Sequence, residues 1–231
     1  MGFMPYGYYV FVAPALLLAL LATVLTKITF SRYSRVGSRS DMTGAEAAMA
    51  LLRSRGVHDV SIEATRGFLS DHYDPRSKTL RLSPGVYDSP SLSAIGVACH
   101  EAGHALQHAA GYGPLALRSA LVPAAQIGNH AAYLLLAVGM GMNALALVKL
   151  GAILFSAAVA FSVVTLPVEW NASSRAKRMM VSAGIVSPDE AAMAGRVLNA
   201  AFLTYVAGAV TALLQLLYFL SRAGLLGRRD D

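Results

Sequence analysis

The chain has 231 residues, of which 55% are hydrophobic and only 14% charged, with a formal net charge of +6. A typical soluble domain is about 25% charged, so this composition excludes an ordinary cytosolic enzyme and indicates a membrane protein. The excess of lysine and arginine, without an aromatic-interleaved basic motif, signals anionic headgroups and topology, not nucleic acid.

Four uncharged stretches are long enough to cross a bilayer, which takes about 20 residues. The first runs from Tyr8 to Thr26 and is closed by Lys27. Tyr8, Tyr9 and Phe11 are suited to an interfacial belt. The stretch has no basic n-region and no clear small-x-small cleavage site, so it reads as a retained anchor. A polar segment, Ser31 to Leu117, follows. Within it, Thr43-Gly44-Ala45-Glu46 has the spacing of a capping box and predicts a helix that ends near Gly56. Val60–Ala64 and Thr79–Ser83 alternate like short strands. Asp71-His72-Tyr73-Asp74-Pro75 between them is turn chemistry. A helix from about Ser91 to Ala110 is then ended by Gly111-Tyr112-Gly113-Pro114. The second and third spans fill Ser119 to Val168, interrupted only by Lys149, with a turn predicted at Gly139-Met140-Gly141-Met142-Asn143. The fourth apolar stretch runs from Val197 to Ser221.

The Ser31–Leu117 segment holds nine of the nineteen lysines and arginines, and the segment after the third span adds Arg175, Lys177, Arg178 and Arg196. With four spans these two segments share a side, and the positive-inside rule makes it the cytoplasm. Arg222, Arg228 and Arg229 weigh against the resulting external C-terminus. A re-entrant or surface-lying fourth segment would remove that conflict.

The helix from Ser91 to Ala110 carries the most informative residues, His100-Glu101-Ala102-Gly103-His104. Residues four apart share a helix face, about 6 Å apart along the axis. Two imidazoles so placed can converge on one zinc ion at about 2.0–2.1 Å each. Glu101, beside the first of them, is positioned to take a proton from a water that the metal activates. Gly103 would let another backbone approach this helix, although plain helix packing explains it equally simply. Cys99 reads as a small buried residue, because adjacent helical side chains point apart; as the single cysteine it also excludes an intrachain disulfide.

A catalytic zinc takes three protein ligands and keeps one open position. His108 continues the four-residue spacing, but each such step rotates about 40° and the third histidine lies about 12 Å from the first. His108 therefore reads as an outer or surface residue. His130, inside the second span, is either a functional group or a hydrogen-bonding partner for a neighbouring helix. Glu169 directly follows the third span, where a carboxylate needs compensation. A metal ion would supply it, and so would an interfacial ion pair with Arg175 or Lys177.

Asp71-His72-Tyr73-Asp74-Pro75, Leu80-Arg81-Leu82-Ser83-Pro84, Val97 to Gln107 around the histidines, and Leu166 to Ser173 together resemble the YugP-type neutral zinc metallopeptidases, bacterial membrane proteins of this length. The order also resembles the wider gluzincin group, including HtpX-type membrane proteases. The resemblance implies that Glu169 is the third ligand, with His100 and His104, and that Glu101 is the catalytic base. HtpX-type proteases carry an Asp four residues after that Glu, where this chain has Ser173. Asn171 or Ser173 is then the substitute for its contact to a histidine.

The reading is a mainly α membrane protein with about four transmembrane helices, a zincin-like catalytic helix and a small β-element on one membrane face. Its expected segments are an anchor (1–30), a cytoplasmic catalytic segment (31–118), a transmembrane hairpin (119–168), a cytoplasmic segment with the third ligand (169–196), and a transmembrane or re-entrant helix with its tail (197–231). The expected activity is zinc-dependent hydrolysis of protein or peptide substrates in the bacterial cytoplasmic membrane, with the active site facing the cytoplasm. Lipid and substrate are its expected partners, and nucleic acid is not. The alternative is a non-catalytic membrane scaffold or chaperone with a retained metal site. A transporter would show repeated halves and broken helices, and the sequence shows neither clearly. Tyr112, Arg175 and Tyr205 are candidates for a second oxyanion donor. The strand around Leu80–Leu82 is either an edge for an extended substrate or an ordinary edge strand beneath the active helix.

Overall fold

A computed structural model of the chain describes residues 6–67 and 70–225, with the backbone alone at residues 6–8, 10 and 11. In chain order the elements are α1 (Tyr6–Tyr33), α2 (Gly44–Arg53), β1 (Ser61–Ala64), β2 (His72–Asp74), β3 (Thr79–Leu82), α3 (Pro84–Tyr87), α4 (Leu92–Ala109), α5 (Gly113–Gly141), α6 (Leu145–Ser182) and α7 (Pro188–Arg222). The protein is mainly helical, and among the described residues α1, α5, α6 and α7 are long and apolar enough to cross a membrane. The fourth apolar stretch lies within one continuous helix, α7. Tyr9 of the expected aromatic belt is exposed. Tyr8 and Phe11 lie outside the described side chains, and Arg228 and Arg229 outside the described residues.

Contacts divide the chain into two compact units. One comprises Met1–Ala22, Leu117–Leu166 and Thr204–Asp231. Its core is built on Phe155, Phe219, Leu136 and Val12, with the Phe155 and Phe219 rings edge to face at 5.4 Å. Without water there is little hydrophobic drive between apolar helices, so close packing of small residues must hold them. Gly128, Gly139 and Gly151 serve this purpose between α5 and α6. A Cβ on Gly128 would meet the Leu154 carbonyl oxygen at 3.0 Å, and one on Gly151 the Leu136 side chain at 2.7 Å. The remaining faces stay apolar and uncovered, as at Leu17, Leu20, Ile127, Leu134 and Ile153. Lipid is the solvent that suits them. The turn between α5 and α6 falls at Met142–Ala144, where Asn143 takes a φ of 53°.

The other unit comprises Thr23–Ala116 and Pro167–Leu203. Its core includes Leu51, Leu52, Leu80, Leu82, Ile95, Met180 and Ile185, all almost fully buried. The predicted capping box is present. The Thr43 side chain accepts from the Glu46 N–H, and the Glu46 carboxylate accepts from the Thr43 N–H at 2.8 Å. The sheet has the order β1-β3-β2, with β1 parallel to β3 and β2 antiparallel to it. Two expectations change here. First, β3 is the central strand, paired on both sides, so the Leu80–Leu82 backbone offers no edge to a substrate. Its burial decides this: Thr79, Leu80 and Leu82 are all buried. Second, His72–Asp74 is a strand, and the turn comes at Pro75–Lys78. The Asp74 carboxylate accepts from the Arg76 N–H and the Ser77 hydroxyl, which hold it down to a pKa of about 2. Asp71 instead reaches across to accept from the Ser83 N–H at 2.7 Å, securing the entry to α3.

Replacing Thr43 by Ala removes one half of the reciprocal cap. It is expected to lower stability by about 1 kcal/mol, seen as a lower midpoint of thermal unfolding in detergent, with no change in metal content.

Candidate metal centre

Helix α4 begins at Ser91, whose hydroxyl accepts from the Ala94 N–H, and buries its Leu92, Ile95, Cys99, Ala102 and Leu106 side. Cys99 belongs to that core. Burial pushes its thiol up to about 12, so at neutral pH it is a packed, protonated side chain and not a ligand. At Gly103 the backbone of α6 comes close. A Cβ there would fall 2.8 Å from the Ala172 carbonyl oxygen. The glycine thus permits a helix contact that a larger residue would block, and the close backbone approach and the packing reading are one and the same feature.

This contact brings Glu169 to the histidines. Glu169 Oε2 lies 3.1 Å from His100 Nε2 and 3.5 Å from His104 Nε2. One ligand atom from each of the three residues lies within 4.8 Å of the others. A tetrahedral ion with bonds of about 2.0–2.1 Å sets its ligands about 3.3–3.4 Å apart, so these two distances straddle the required edge. Glu169 is 1% exposed. The ion-pair alternative is not what the cations do, since Arg175 Nε donates to Asn171 Oδ1 at 2.7 Å and Lys177 Nζ to Asn199 Oδ1 at 3.2 Å.

The second nitrogen of each imidazole is also held. His100 Nδ1 lies 3.0 Å from Ser173 Oγ, at the position where the related pattern carries an aspartate. His104 Nδ1 lies 3.0 Å from Gln107 Oε1. The Gln107 amide nitrogen donates to the Val168 carbonyl at 2.8 Å and to Asn171 Oδ1 at 3.0 Å. A carbonyl can only accept, so Gln107 must turn its oxygen to the imidazole. His104 therefore carries a proton on Nδ1 when neutral, and the Nε2 lone pair is left facing Glu169. This is the tautomer that a metal site requires. Burial works to lower the pKa of His104, but the hydrogen bond and charge of Glu169 outweigh it and raise it.

Gln107 is the residue that sequence reasoning missed. Its signal was a lone amide three residues after His104 on an apolar helix face, and it is fully buried. Both proposed substitutes for the missing aspartate take part: Ser173 contacts His100 directly, and Asn171 reaches His104 through Gln107. The chain of contacts ends outward at Arg175, whose guanidinium lies 5.9 Å from the centre of the Tyr112 ring. Tyr205, the third oxyanion candidate, belongs to the other unit.

His108 does not join the cluster. Its Nδ1 is 2.9 Å from the Tyr73 hydroxyl on β2. Burial, with the charges of Asp59 and Asp74, pushes the Tyr73 phenol up to about 12. It therefore stays protonated and can donate, tying the sheet to α4. His130 is exposed, and its Nδ1 bonds the Gln126 carbonyl of its own helix, not a neighbouring helix. Glu101 is half-buried.

Residues 8–224 match the family described as "Putative neutral zinc metallopeptidase". The "Putative membrane protease YugP" of Bacillus subtilis (strain 168) is 49% identical over 205 residues, covering 89% of this chain and 91% of that protein. No solved structure matches.

Replacing Gln107 by Leu, or Ser173 by Ala, frees one imidazole to turn or change tautomer. Each is expected to weaken metal binding by roughly 10–100-fold, measured by competition with a chromogenic chelator. An unchanged affinity in both would show that these hydrogen bonds do not orient the histidines.

Proposed function

Because the chain belongs to the neutral zinc metallopeptidase family, we propose that it is a membrane-embedded zinc endopeptidase that cleaves protein or peptide substrates. The observation that carries this reading is the convergence of His100, His104 and Glu169, with both Nδ1 atoms engaged in hydrogen bonds that hold the rings. His100 Nε2, His104 Nε2 and the Glu169 carboxylate would hold the ion. The chemistry that zinc supplies in such a site is Lewis-acid polarisation of a carbonyl and acidification of water toward neutral pH.

The other steps fall to the chain's own residues. Glu101 stands next to His100 on α4 and is left over as a proton carrier. It accepts the proton of the attacking water and delivers it to the leaving amine. Glu169 would bring one negative charge to two neutral imidazoles, so this ligand set would leave a bound divalent ion a net positive charge. Ser173 and Gln107 keep both rings in place through the cycle, which limits reorganisation during the reaction. Arg175, linked to this network through Asn171, is a charged candidate for steadying the developing oxyanion.

The three-ligand set also weighs against the scaffold alternative. A structural zinc site is closed by four protein ligands. Cys99 is committed to the core and His108 to Tyr73, so the extra ligands offered by α4 are engaged elsewhere. Orientation rests on charge: the arginine- and lysine-rich segments 31–118 and 169–196 belong on the cytoplasmic side by the positive-inside rule, and the active site goes with them.

Glu101→Gln is expected to keep about one zinc per chain while hydrolysis of an unfolded protein substrate falls by roughly 100-fold or more. Unchanged cleavage would remove Glu101 from the role of base. Glu169→Ala is expected to lower zinc content by metal analysis. Full occupancy would place the third ligand elsewhere.

A further inference from the structure

Apart from the metal centre, the Thr23–Ala116 and Pro167–Leu203 unit holds a groove of about 710 Å³ between α1, α6 and α7. Its lining separates into two kinds of surface. Leu25, Ile28 and Leu203 supply an apolar wall and are 45%, 60% and 43% exposed. Arg32, Lys177 and Arg196 supply three positive charges. Each of these cations is held by a neutral group. Arg196 donates to the Tyr33 hydroxyl at 3.4 Å, Lys177 donates to Asn199 Oδ1, and the Arg32 guanidinium lies 5.7 Å from the centre of the Tyr33 ring. Among the described residues none of the three is in an ion pair with a carboxylate. Three like charges gathered in one groove repel, and a bound anion would relieve them.

The placement is built into the helices. The stem of Lys177 lies across Gly195 on α7, where a Cβ would meet Lys177 Cδ at 3.0 Å. Its ammonium is 5.5 Å from the centre of the Trp170 ring, and that ring packs edge to face against Phe202 at 5.2 Å. The Thr26 hydroxyl donates to the Ala200 carbonyl at 3.0 Å, pinning α1 to α7 beside the groove.

We propose that this groove binds an anionic phospholipid, with the phosphate among Arg32, Lys177 and Arg196 and an acyl chain along Leu25, Ile28 and Leu203. Charge complementarity selects an anion. The apolar wall selects a lipid over free phosphate, because a free ion would leave those three side chains wet. All three helices around the groove are long and apolar enough to cross a membrane, so lipid is the anion-bearing molecule at hand. Basic pockets between membrane helices commonly hold anionic headgroups.

Trp170 is the chain's single tryptophan, it lines the groove, and its fluorescence reads occupancy directly. The full-length protein in non-ionic detergent is titrated with phosphatidylglycerol brominated on its acyl chains, and in parallel with equally brominated phosphatidylcholine. The anionic lipid is expected to quench Trp170 at a several-fold lower mole fraction. Lys177→Gln and Arg196→Gln are each expected to weaken that preference by roughly five-fold. A control variant with Arg53, Arg66 and Arg76 all changed to Gln, exposed positions elsewhere in the same unit, is expected to retain it. Combining Lys177→Gln with Arg196→Gln is expected to abolish the preference, and the single variants serve if this double variant does not fold, as judged by helical circular dichroism. Equal quenching by the two lipids would overturn the proposal, as would a preference that survives loss of both Lys177 and Arg196 or vanishes in the control. Suppression of the anionic quench by a few millimolar inorganic phosphate would assign the cations to a free ion and equally overturn it.

Discussion

One close approach underlies the candidate metal centre: the backbone of α4 at Gly103 against the backbone of α6 at Ala172. A side chain at that position would collide with the Ala172 carbonyl oxygen, and the helices would have to separate. Glu169 lies three residues before Ala172, and His100 and His104 flank Gly103. The contact therefore determines whether the carboxylate and the imidazoles can share one ion. Bonds of about 2 Å tolerate little error, whereas the hydrophobic core around Ile95, Cys99 and Met180 would accept small displacements with a modest loss.

The polar residues around this contact form a connected set in an apolar setting. Gln107 is fully buried, yet its oxygen meets His104 and its nitrogen meets Val168 and Asn171. An unsatisfied buried amide would cost about 1–3 kcal/mol, so only one orientation of Gln107 suits the site. That orientation dictates the tautomer of His104. The effect passes through geometry, with no charge near Gln107 needed. Ser173 holds the His100 ring with a neutral hydroxyl in place of a carboxylate, and a hydroxyl can donate or accept, so it orients the ring without fixing its tautomer.

Helix α6 serves two environments within a single turn. Glu169 points toward His100 and His104 and is 1% exposed, while its neighbour Trp170 is 54% exposed and lines the basic groove. Adjacent helical side chains are about 100° apart, which is enough to separate a buried carboxylate from a surface open to lipid. The same rule explains why Cys99, next to His100, belongs to the core and not to the metal centre.

Much of this protein was legible in its residues. The four apolar stretches, the capping box at Thr43 and Glu46, and the pairing of His100 with His104 are local patterns, set by hydrophobic length and helical period, and they need no partner to be recognised. Resemblance, not spacing, singled out Glu169, because the sequence alone could not exclude an ion pair with Arg175 or Lys177. The three-dimensional fold decided the remainder. It made β3 central, where alternation alone suggested an edge, because pairing depends on which strand a distant segment joins. It moved the turn from Asp71–Pro75 to Pro75–Lys78, because His72, Tyr73 and Asp74 gained a ladder partner in β3. It gave Gln107 its role and gathered three cations from α1, α6 and α7 into one groove. The contacts of Gln107 with α6 and of α1 with α7 join residues tens of positions or more apart, and no local propensity encodes the distance at which two helices come to rest.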